Sequence, residues 1–237
     1  MLSRRSLLIL WTFFCLTTAG AAQEHDAVKP VPRDANWMKR HESFNERVKK
    51  GKVDLIFIGD SITQAWEGPG KEIWVKAYAP RNAVNLGIGG DRTQHALWRL
   101  DHGNIDGITP KLAVLMIGTN NSGTNTSEQI ADGVMAIVKQ LRDKLPEMKI
   151  LILAIFPRGA DNNDAKRQVN AKANEIIAKL ADGKMIEYLD IGPKFVAADG
   201  TLSKEIMPDL LHLNAASYQI WADSIEDHVK RLMGEAK

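Results

Sequence analysis

The chain has 237 residues, which is enough for one domain or for a domain with a short extension. Hydrophobic residues make up 44% of it and charged residues 25%, a composition typical of globular proteins and not of disordered chains, collagens or coiled coils. Lysine and arginine number 31 against 29 aspartates and glutamates. A nucleic-acid-binding protein usually carries a larger basic excess, so we expect no nucleic-acid partner.

The first 22 residues have the order of an export signal. Arg4 and Arg5 are followed by a short apolar run and then by small residues. The run is shorter than the about 20 residues that span a bilayer, and no lipid-attachment motif precedes Cys15, the single cysteine. We therefore expect a periplasmic or secreted protein without a stable membrane anchor. The cleavage site and the route, general or twin-arginine, stay open, and a buried N-terminal helix is the alternative.

Residues 23–52 are expected to form a helical extension that packs on the main domain. The residues spaced as one helical face are Trp37, Met38, His41, Phe44 and Val48. The segment shows no composition that would make it a domain of its own.

From residue 53 to the end of the chain, short apolar runs alternate with longer amphipathic stretches. The runs cover residues 53–58, 83–86, 112–117, 150–156 and 185–189. Runs that are apolar on both faces and bounded by Gly or Pro indicate strands of a parallel sheet covered by helices. Helical spacing predicts helices from about residue 127, over about 164–180 and over about 214–233. The sequence thus predicts one α/β domain, a three-layer sandwich, over residues 53–237.

Four short segments carry side chains that could do chemistry at the carboxyl ends of these strands, where ligands of open α/β sheets bind. Ser61 follows the first run within Gly-Asp-Ser and could be a nucleophile, although Thr63 breaks the esterase motif GxSxG. A glycine-rich loop at 87–90 follows the second run, and Gly118-Thr119-Asn120-Asn121 follows the third. Asp209 stands three residues before His212, a spacing that lets a carboxylate orient an imidazole base. Each segment alone could be an ordinary turn.

Together and in this order, the four segments resemble the four blocks of the GDSL, or SGNH, hydrolase family. The resemblance covers about residues 53–233 and is greatest to the branch of the platelet-activating-factor acetylhydrolase catalytic subunits. Its motifs lie at residues 85–91, 97–100, 118–121, 156–159 and 209–213. The resemblance implies a flavodoxin-like fold with a five-stranded parallel sheet and chemistry that needs no metal or organic cofactor.

Carried over residue by residue, the resemblance gives each block a role. Ser61 matches the nucleophile, His212 the general base and Asp209 the acid that orients it. The backbone N–H groups of Ser61 and Gly90 and the side-chain amide of Asn120 match the oxyanion hole.

The chain departs from the family pattern at Ile62, where the name motif has Leu, and at Asn121, where Asp is common. Neither change removes a catalytic atom. Bulky residues at the positions of Ile62 and Leu211 limit the acyl group to acetyl in the acetylhydrolases that the chain resembles, so we expect both to bind substrate. Trp66 and Trp74 could line a substrate groove or pack in the core.

These observations predict a serine esterase that hydrolyses short-chain, acetyl O-esters, a carboxylic ester hydrolase of the acetylesterase kind. Export and equal numbers of acidic and basic groups after signal removal favour acetylated carbohydrate, so the partner is a small-molecule or polysaccharide ester. Hydrolysis of acetylated phospholipid or lysophospholipid is the alternative. A non-catalytic glycan-binding module on the same fold is a further one. The sequence does not specify an oligomeric state.

Overall fold

A computed structural model describes residues 25–235 of the chain. The predicted export signal lies outside the described residues. The α-helices are α1 (Ala35–Lys49), α2 (Ser61–Gln64), α3 (Lys71–Ala77), α4 (Thr93–Asp101), α5 (Ser127–Lys144), α6 (Ala165–Ile177) and α7 (Ala215–Met233). The strands are β1 (Leu55–Gly59), β2 (Ala83–Gly87), β3 (Leu112–Met116), β4 (Lys149–Leu153) and β5 (Ile186–Leu189).

The strands form a five-stranded, all-parallel sheet in the order β2-β1-β3-β4-β5. This is the flavodoxin-like order, so the predicted fold class is confirmed. In the register, Gly59 at the end of β1 pairs with Gly87 of β2 and Met116 of β3. The carboxyl ends of these strands therefore meet at one edge of the sheet, and the segments that follow them are neighbours.

Side chains of the central strands alternate between the two faces of the sheet, as the two-residue period of a strand requires. Ile56 and Ile58 pack with α1, α4, α5 and α6 in one apolar cluster. Leu55 and Phe57 pack with α2 and α7 in a second cluster on the other face. The sheet is thus the middle of three layers, and the predicted run of residues apolar on both faces is explained.

Strand β5 departs from that pattern. All its residues are half-buried, and Glu187 binds Arg231 and His228 of α7. Strand β2 at the opposite edge of the sheet is buried over four of its five residues, so the exposure of β5 reflects its thinner cover and not its edge position alone.

The extension before β1 forms α1, which begins after the N-cap residue Asp34. Its buried residues are Trp37, His41, Phe44 and Val48, close to the face that the spacing predicts. Over residues 25–235, no helix has the length and apolar character needed to cross a membrane.

Candidate active site

Ser61 lies on a tight turn between β1 and α2. Asp60 is the N-cap of α2, and its Oδ1 accepts a hydrogen bond from the Ile62 N–H at 3.0 Å. A Cβ atom at Gly59 would come within 2.5 Å of the Met116 carbonyl oxygen and clash with Thr63. The chain can therefore change from strand to helix here because residue 59 is glycine. The turn presents the Ser61 side chain at the carboxyl edge of the sheet.

Ser61, His212 and Asp209 are joined by two short hydrogen bonds. The Ser61 Oγ is 2.8 Å from His212 Nε2, and His212 Nδ1 is 2.6 Å from Asp209 Oδ2. The other carboxylate oxygen of Asp209 accepts from the backbone N–H groups of His212 and Leu211, at 2.7 and 3.0 Å. This arrangement suits a proton on Nδ1 and leaves Nε2 free to accept the Ser61 hydroxyl proton. The structure thus brings Ser61 to a histidine that lies 151 positions away in the sequence, and Asp209 lies three positions before that histidine.

The charge state of Asp209 follows from its surroundings. Partial burial raises the pKa of its carboxyl, but the hydrogen bonds from His212 outweigh burial and hold the pKa below its ordinary value. Asp209 is therefore ionised at neutral pH beside the imidazole. The side chains of Asp209 and His212 are 57% and 38% exposed, so the site is open to solvent.

A loop after β4 braces both the His212 segment and the segment after β3. Leu210 has φ +60°, a left-handed conformation that is unusual for leucine, and its carbonyl accepts from the Gly159 N–H at 2.9 Å. The neighbouring Arg158 donates through Nη1 to the carbonyl and the hydroxyl of Thr119, at 3.3 and 3.2 Å. The sequence shows residues 156–159 only as a motif of the resemblance, and their bracing function is visible only in the structure.

The two other predicted oxyanion donors lie next to each other. Gly90 has φ +76°, and across residues 25–235 its N–H has no hydrogen-bond partner. Asn120 uses one amide hydrogen of Nδ2 to donate to the Asp91 carbonyl at 2.9 Å, which leaves the second for another acceptor. The side chain of Ser61 adjoins this loop, since a Cβ at Gly89 would be 3.8 Å from the Ser61 Cβ. All three predicted donors are therefore at one edge of the sheet.

A buried carboxylate, Asp91, holds the glycine loop from below. Its Oδ1 accepts from Trp37 Nε1 at 2.6 Å and from Arg33 Nη1 at 3.2 Å, and its Oδ2 accepts from Arg99 Nε at 2.9 Å. Asp91 and Arg99 are both fully buried. The sequence analysis assigned no role to the contacts of Asp91, although an arginine inside the resemblance motif at 97–100 is a usable signal of a buried acidic partner.

Asn121, one departure from the family pattern, is also fully buried. Its Oδ1 accepts from the Thr93 backbone, and its Nδ2 donates to Thr93 Oγ1, Gln94 Oε1 and Asn125 Oδ1 at 3.0 to 3.2 Å. An aspartate has no amide hydrogens to donate, so this network explains why asparagine fits here.

The two residues expected to contact the acyl group have different environments. Ile62 is only 1% exposed and packs in the apolar cluster beneath α2, because the first turn of that helix points it at the sheet. This burial argues against a direct contact with the acyl group, and the contact stays a prediction that the Ile62→Ala variant tests. Leu211 is half-buried beside His212, and its contact with an acyl group stays a prediction. Trp66 is buried in the core, and Trp74 packs against it.

No metal site accompanies these residues within 25–235, since no three His, Cys, Asp or Glu side chains are grouped to hold an ion there. A cavity of about 600 Å³ lies beyond β4 and β5, and its lining includes Pro157, Arg167, Asn170 and Asp190. Neither Ser61 nor His212 lines it. This cavity is therefore separate from the candidate site.

Comparison with known proteins identifies the family. The model of the GDSL-like lipase/acylhydrolase family matches residues 57–220. The chain is 37% identical over 221 residues to human platelet-activating factor acetylhydrolase IB subunit alpha1, which covers 91% of this chain and 94% of that protein.

Solved structures share the fold. A putative acylhydrolase from Bacteroides fragilis has a TM-score of 0.70 at 18% identity and covers 85% of this chain and 99% of its own. An acetyl xylan esterase has a TM-score of 0.61 at 23% identity and covers 75% of this chain and 100% of its own. The family model over residues 57–220 and the 37% identity to the human subunit show that the chain belongs to the GDSL-like lipase/acylhydrolase family and is a carboxylic ester hydrolase.

Proposed function

We propose that this protein hydrolyses short acyl esters, acetyl esters above all, through a catalytic triad of Ser61, His212 and Asp209. The observation that carries the proposal is the pair of hydrogen bonds from Ser61 Oγ to His212 Nε2 at 2.8 Å and from His212 Nδ1 to Asp209 Oδ2 at 2.6 Å. Nucleophile, base and orienting carboxylate are each within hydrogen-bond reach of the next, which is the arrangement that activates a hydroxyl group.

The first half of the reaction acylates Ser61. His212 Nε2 takes the hydroxyl proton as Oγ attacks the ester carbonyl carbon, and the carbonyl oxygen becomes an oxyanion. Ionised Asp209 stabilises the imidazolium that forms. When the tetrahedral intermediate collapses, the bond to the leaving oxygen breaks and His212 returns its proton to that oxygen, so that an alcohol leaves.

The second half regenerates the enzyme. Water loses a proton to His212 and attacks the acyl carbon, and Ser61 leaves with that proton as the carboxylic acid is released. In both halves, the N–H groups of Ser61 and Gly90 and the free amide hydrogen of Asn120 are the donors that the oxyanion would meet. Donors fixed in advance stabilise the charge where it develops.

Acetylated carbohydrate is the substrate class that we favour. The site is open to solvent, which accommodates a large alcohol such as a sugar chain, and the proposed export would bring the protein to extracellular polysaccharides. The fold shared with an acetyl xylan esterase is consistent with this choice. The identity to the human acetylhydrolase subunit favours an acetylated phospholipid as the second candidate.

The test compares the wild type with Ser61→Ala on nitrophenyl acetate and then on acetylated xylan and an acetylated phospholipid. We expect Ser61→Ala to lose about three orders of magnitude or more in kcat, because no other group can form the acyl-enzyme. Ser43→Ala, on the exposed face of α1, should keep the wild-type rate. Turnover by Ser61→Ala near the wild-type value would refute the triad. Higher kcat/KM on phospholipid would move the substrate to the second candidate, and binding of xylan without hydrolysis of any ester would support the non-catalytic module.

A further inference from the structure

We propose that Arg33, from the segment that precedes α1, is a positioning residue that fixes and polarises the peptide unit between Gly89 and Gly90. The inference rests on the proposed function, in which the N–H of that peptide unit is an oxyanion donor. It adds to the proposed function a residue that lies outside all the resemblance motifs.

The guanidinium of Arg33 contacts this peptide unit directly. Its Nη1 donates to the Gly89 carbonyl at 2.7 Å. A Cβ built on Gly90 would be 3.2 Å from both Nη1 and Nη2, so the guanidinium lies against the Gly90 backbone. Nη1 also reaches Asp91 Oδ1 at 3.2 Å, and Asp91 is itself held by Arg99 and Trp37. Arg33 is therefore anchored while its side chain remains 29% exposed.

The position of Arg33 matters because a peptide unit is planar. No cis peptide bond occurs within residues 25–235, so the Gly89 carbonyl and the Gly90 N–H point in opposite directions across one rigid plane. A cation that donates to the carbonyl oxygen withdraws charge from the unit and makes the N–H on the far side a better donor. Arg33 can thus act on the oxyanion without touching the substrate.

Orientation is a second effect. A bond between two glycines meets little steric resistance to rotation of the peptide plane, because neither residue has a Cβ. A rotated plane would present the Gly89 carbonyl in place of the Gly90 N–H and would repel an oxyanion. The hydrogen bond from Arg33 to the Gly89 carbonyl opposes that rotation. The Gly89 N–H, which donates to Gln64 Oε1 at 2.6 Å, fixes only the preceding peptide unit, so Arg33 is the side chain that holds this one.

Arg40 provides a matched control. It donates through Nε and Nη2 to the Gly87 carbonyl, at 3.0 and 2.9 Å, and so contacts the same loop from α1. The N–H of that peptide unit belongs to Ile88 and donates to the Gly59 carbonyl at 3.2 Å. Polarising this unit cannot strengthen a donor to substrate. The two arginines therefore differ in the N–H of the peptide unit that each contacts. The Gly90 N–H beside Arg33 is available to a substrate, whereas the Ile88 N–H beside Arg40 is already bonded.

The experiment compares Arg33→Met and Arg40→Met in the full chain. With nitrophenyl acetate, we expect Arg33→Met to lower kcat about tenfold at nearly constant KM, less than the about hundredfold loss typical when an oxyanion donor is removed outright. Arg40→Met should keep kcat within about twofold, because its peptide unit is not an oxyanion donor. Arg33→Gln keeps a neutral hydrogen-bond donor, so its kcat should lie between the kcat of the wild type and that of Arg33→Met.

A boronic acid gives the second readout, because it adds to a serine Oγ and presents a tetrahedral oxygen to the oxyanion donors. Its inhibition constant should rise in Arg33→Met by the same factor by which kcat falls, a change that a purely structural role would not produce. Equal losses in the two methionine variants, a loss confined to KM, or unchanged boronic acid affinity would overturn the role of Arg33. Failure of the proposed function is distinct, since it would appear as activity that survives Ser61→Ala.

Discussion

At the scale of single residues, the carboxyl group of Asp60 has the least ordinary environment near Ser61. It is fully buried, and within the described part of the chain its Oδ2 has no hydrogen-bond partner. Burial raises the pKa of Asp60 to about 7, and the nearby charge of Asp91 adds to the rise. Folded Asp60 therefore binds its proton more tightly than it does in the unfolded chain, where an aspartate titrates near about 3.9.

This difference predicts a pH dependence of stability. Below about pH 4, Asp60 is protonated in both states and should give the free energy of unfolding no pH dependence. Between about pH 4 and 7 the free energy of unfolding should fall as the pH rises, because Asp60 ionises in the unfolded chain before it ionises in the folded one. Asp60→Asn cannot ionise, so its stability relative to the wild type should increase over this interval and stay constant above it. Urea unfolding at several pH values measures the difference. Parallel curves for the two proteins would contradict a raised pKa.

The environments of Ile62 and Leu211 predict opposite results for the two alanine variants. Ile62→Ala should cost about 2–5 kcal/mol of unfolding free energy, as core truncations do, and should leave acyl preference unchanged. Leu211→Ala should flatten the fall in rate from acetate to butyrate to octanoate esters, because it enlarges the space for the acyl chain. In the wild type, forcing a methylene into a filled pocket costs about 1–3 kcal/mol, whereas its burial gains only about 0.8 kcal/mol. Urea unfolding and nitrophenyl ester kinetics separate the two. A change in acyl preference caused by Ile62→Ala instead would show that the acyl group does reach the core.

At the scale of elements, the N-terminal extension and α4 meet at one buried charge. Trp37 of α1, Arg33 before it and Arg99 of α4 all donate to Asp91, directly below the glycine loop. Helix α1 is thus part of the support of the candidate site. These contacts hold the glycine loop in place from outside, although its own glycines restrict its backbone little.

The pair between Asp91 and Arg99 predicts a large effect on stability. Arg99→Met should cost about 3–5 kcal/mol of unfolding free energy, because it leaves a fully buried carboxylate without its main counter-charge. Lys139→Ala, which removes an exposed pair with Asp143 on α5, should cost less than about 1 kcal/mol. Urea unfolding at neutral pH measures both. Similar losses in the two variants would show that Asp91 is neutralised by other means.

At the scale of the whole molecule, the parallel sheet gathers the segments after β1, β2 and β3 with the loop before α7. The proposed chemistry uses only side chains and backbone N–H groups from these segments. Dialysis against a metal chelator should therefore leave esterase activity unchanged, as measured with nitrophenyl acetate before and after treatment. Inactivation that added metal reverses would refute this prediction.

The sequence by itself determined the layers and much of the chemistry. Apolar runs separated by helical periods require parallel strands with crossover helices, so the sandwich and the edge where Ser61, Gly90 and Asn120 lie could be predicted. The contact between Asp209 and His212 is local, because a separation of three positions within one turn brings the carboxylate and the imidazole together. Such features depend on neighbours in the chain, and a pattern of neighbours is what a sequence displays.

Only the tertiary structure decided which side chains those elements bury and support. The direction of the first turn of α2 places Ile62 in the core, although the residue follows Ser61 directly. The bond from Arg33 to the Gly89 carbonyl joins residues 56 positions apart, and the bond from Ser61 to His212 joins residues 151 positions apart. These contacts join segments far apart in the chain, and they form only after the layers have packed, because packing fixes which surfaces meet.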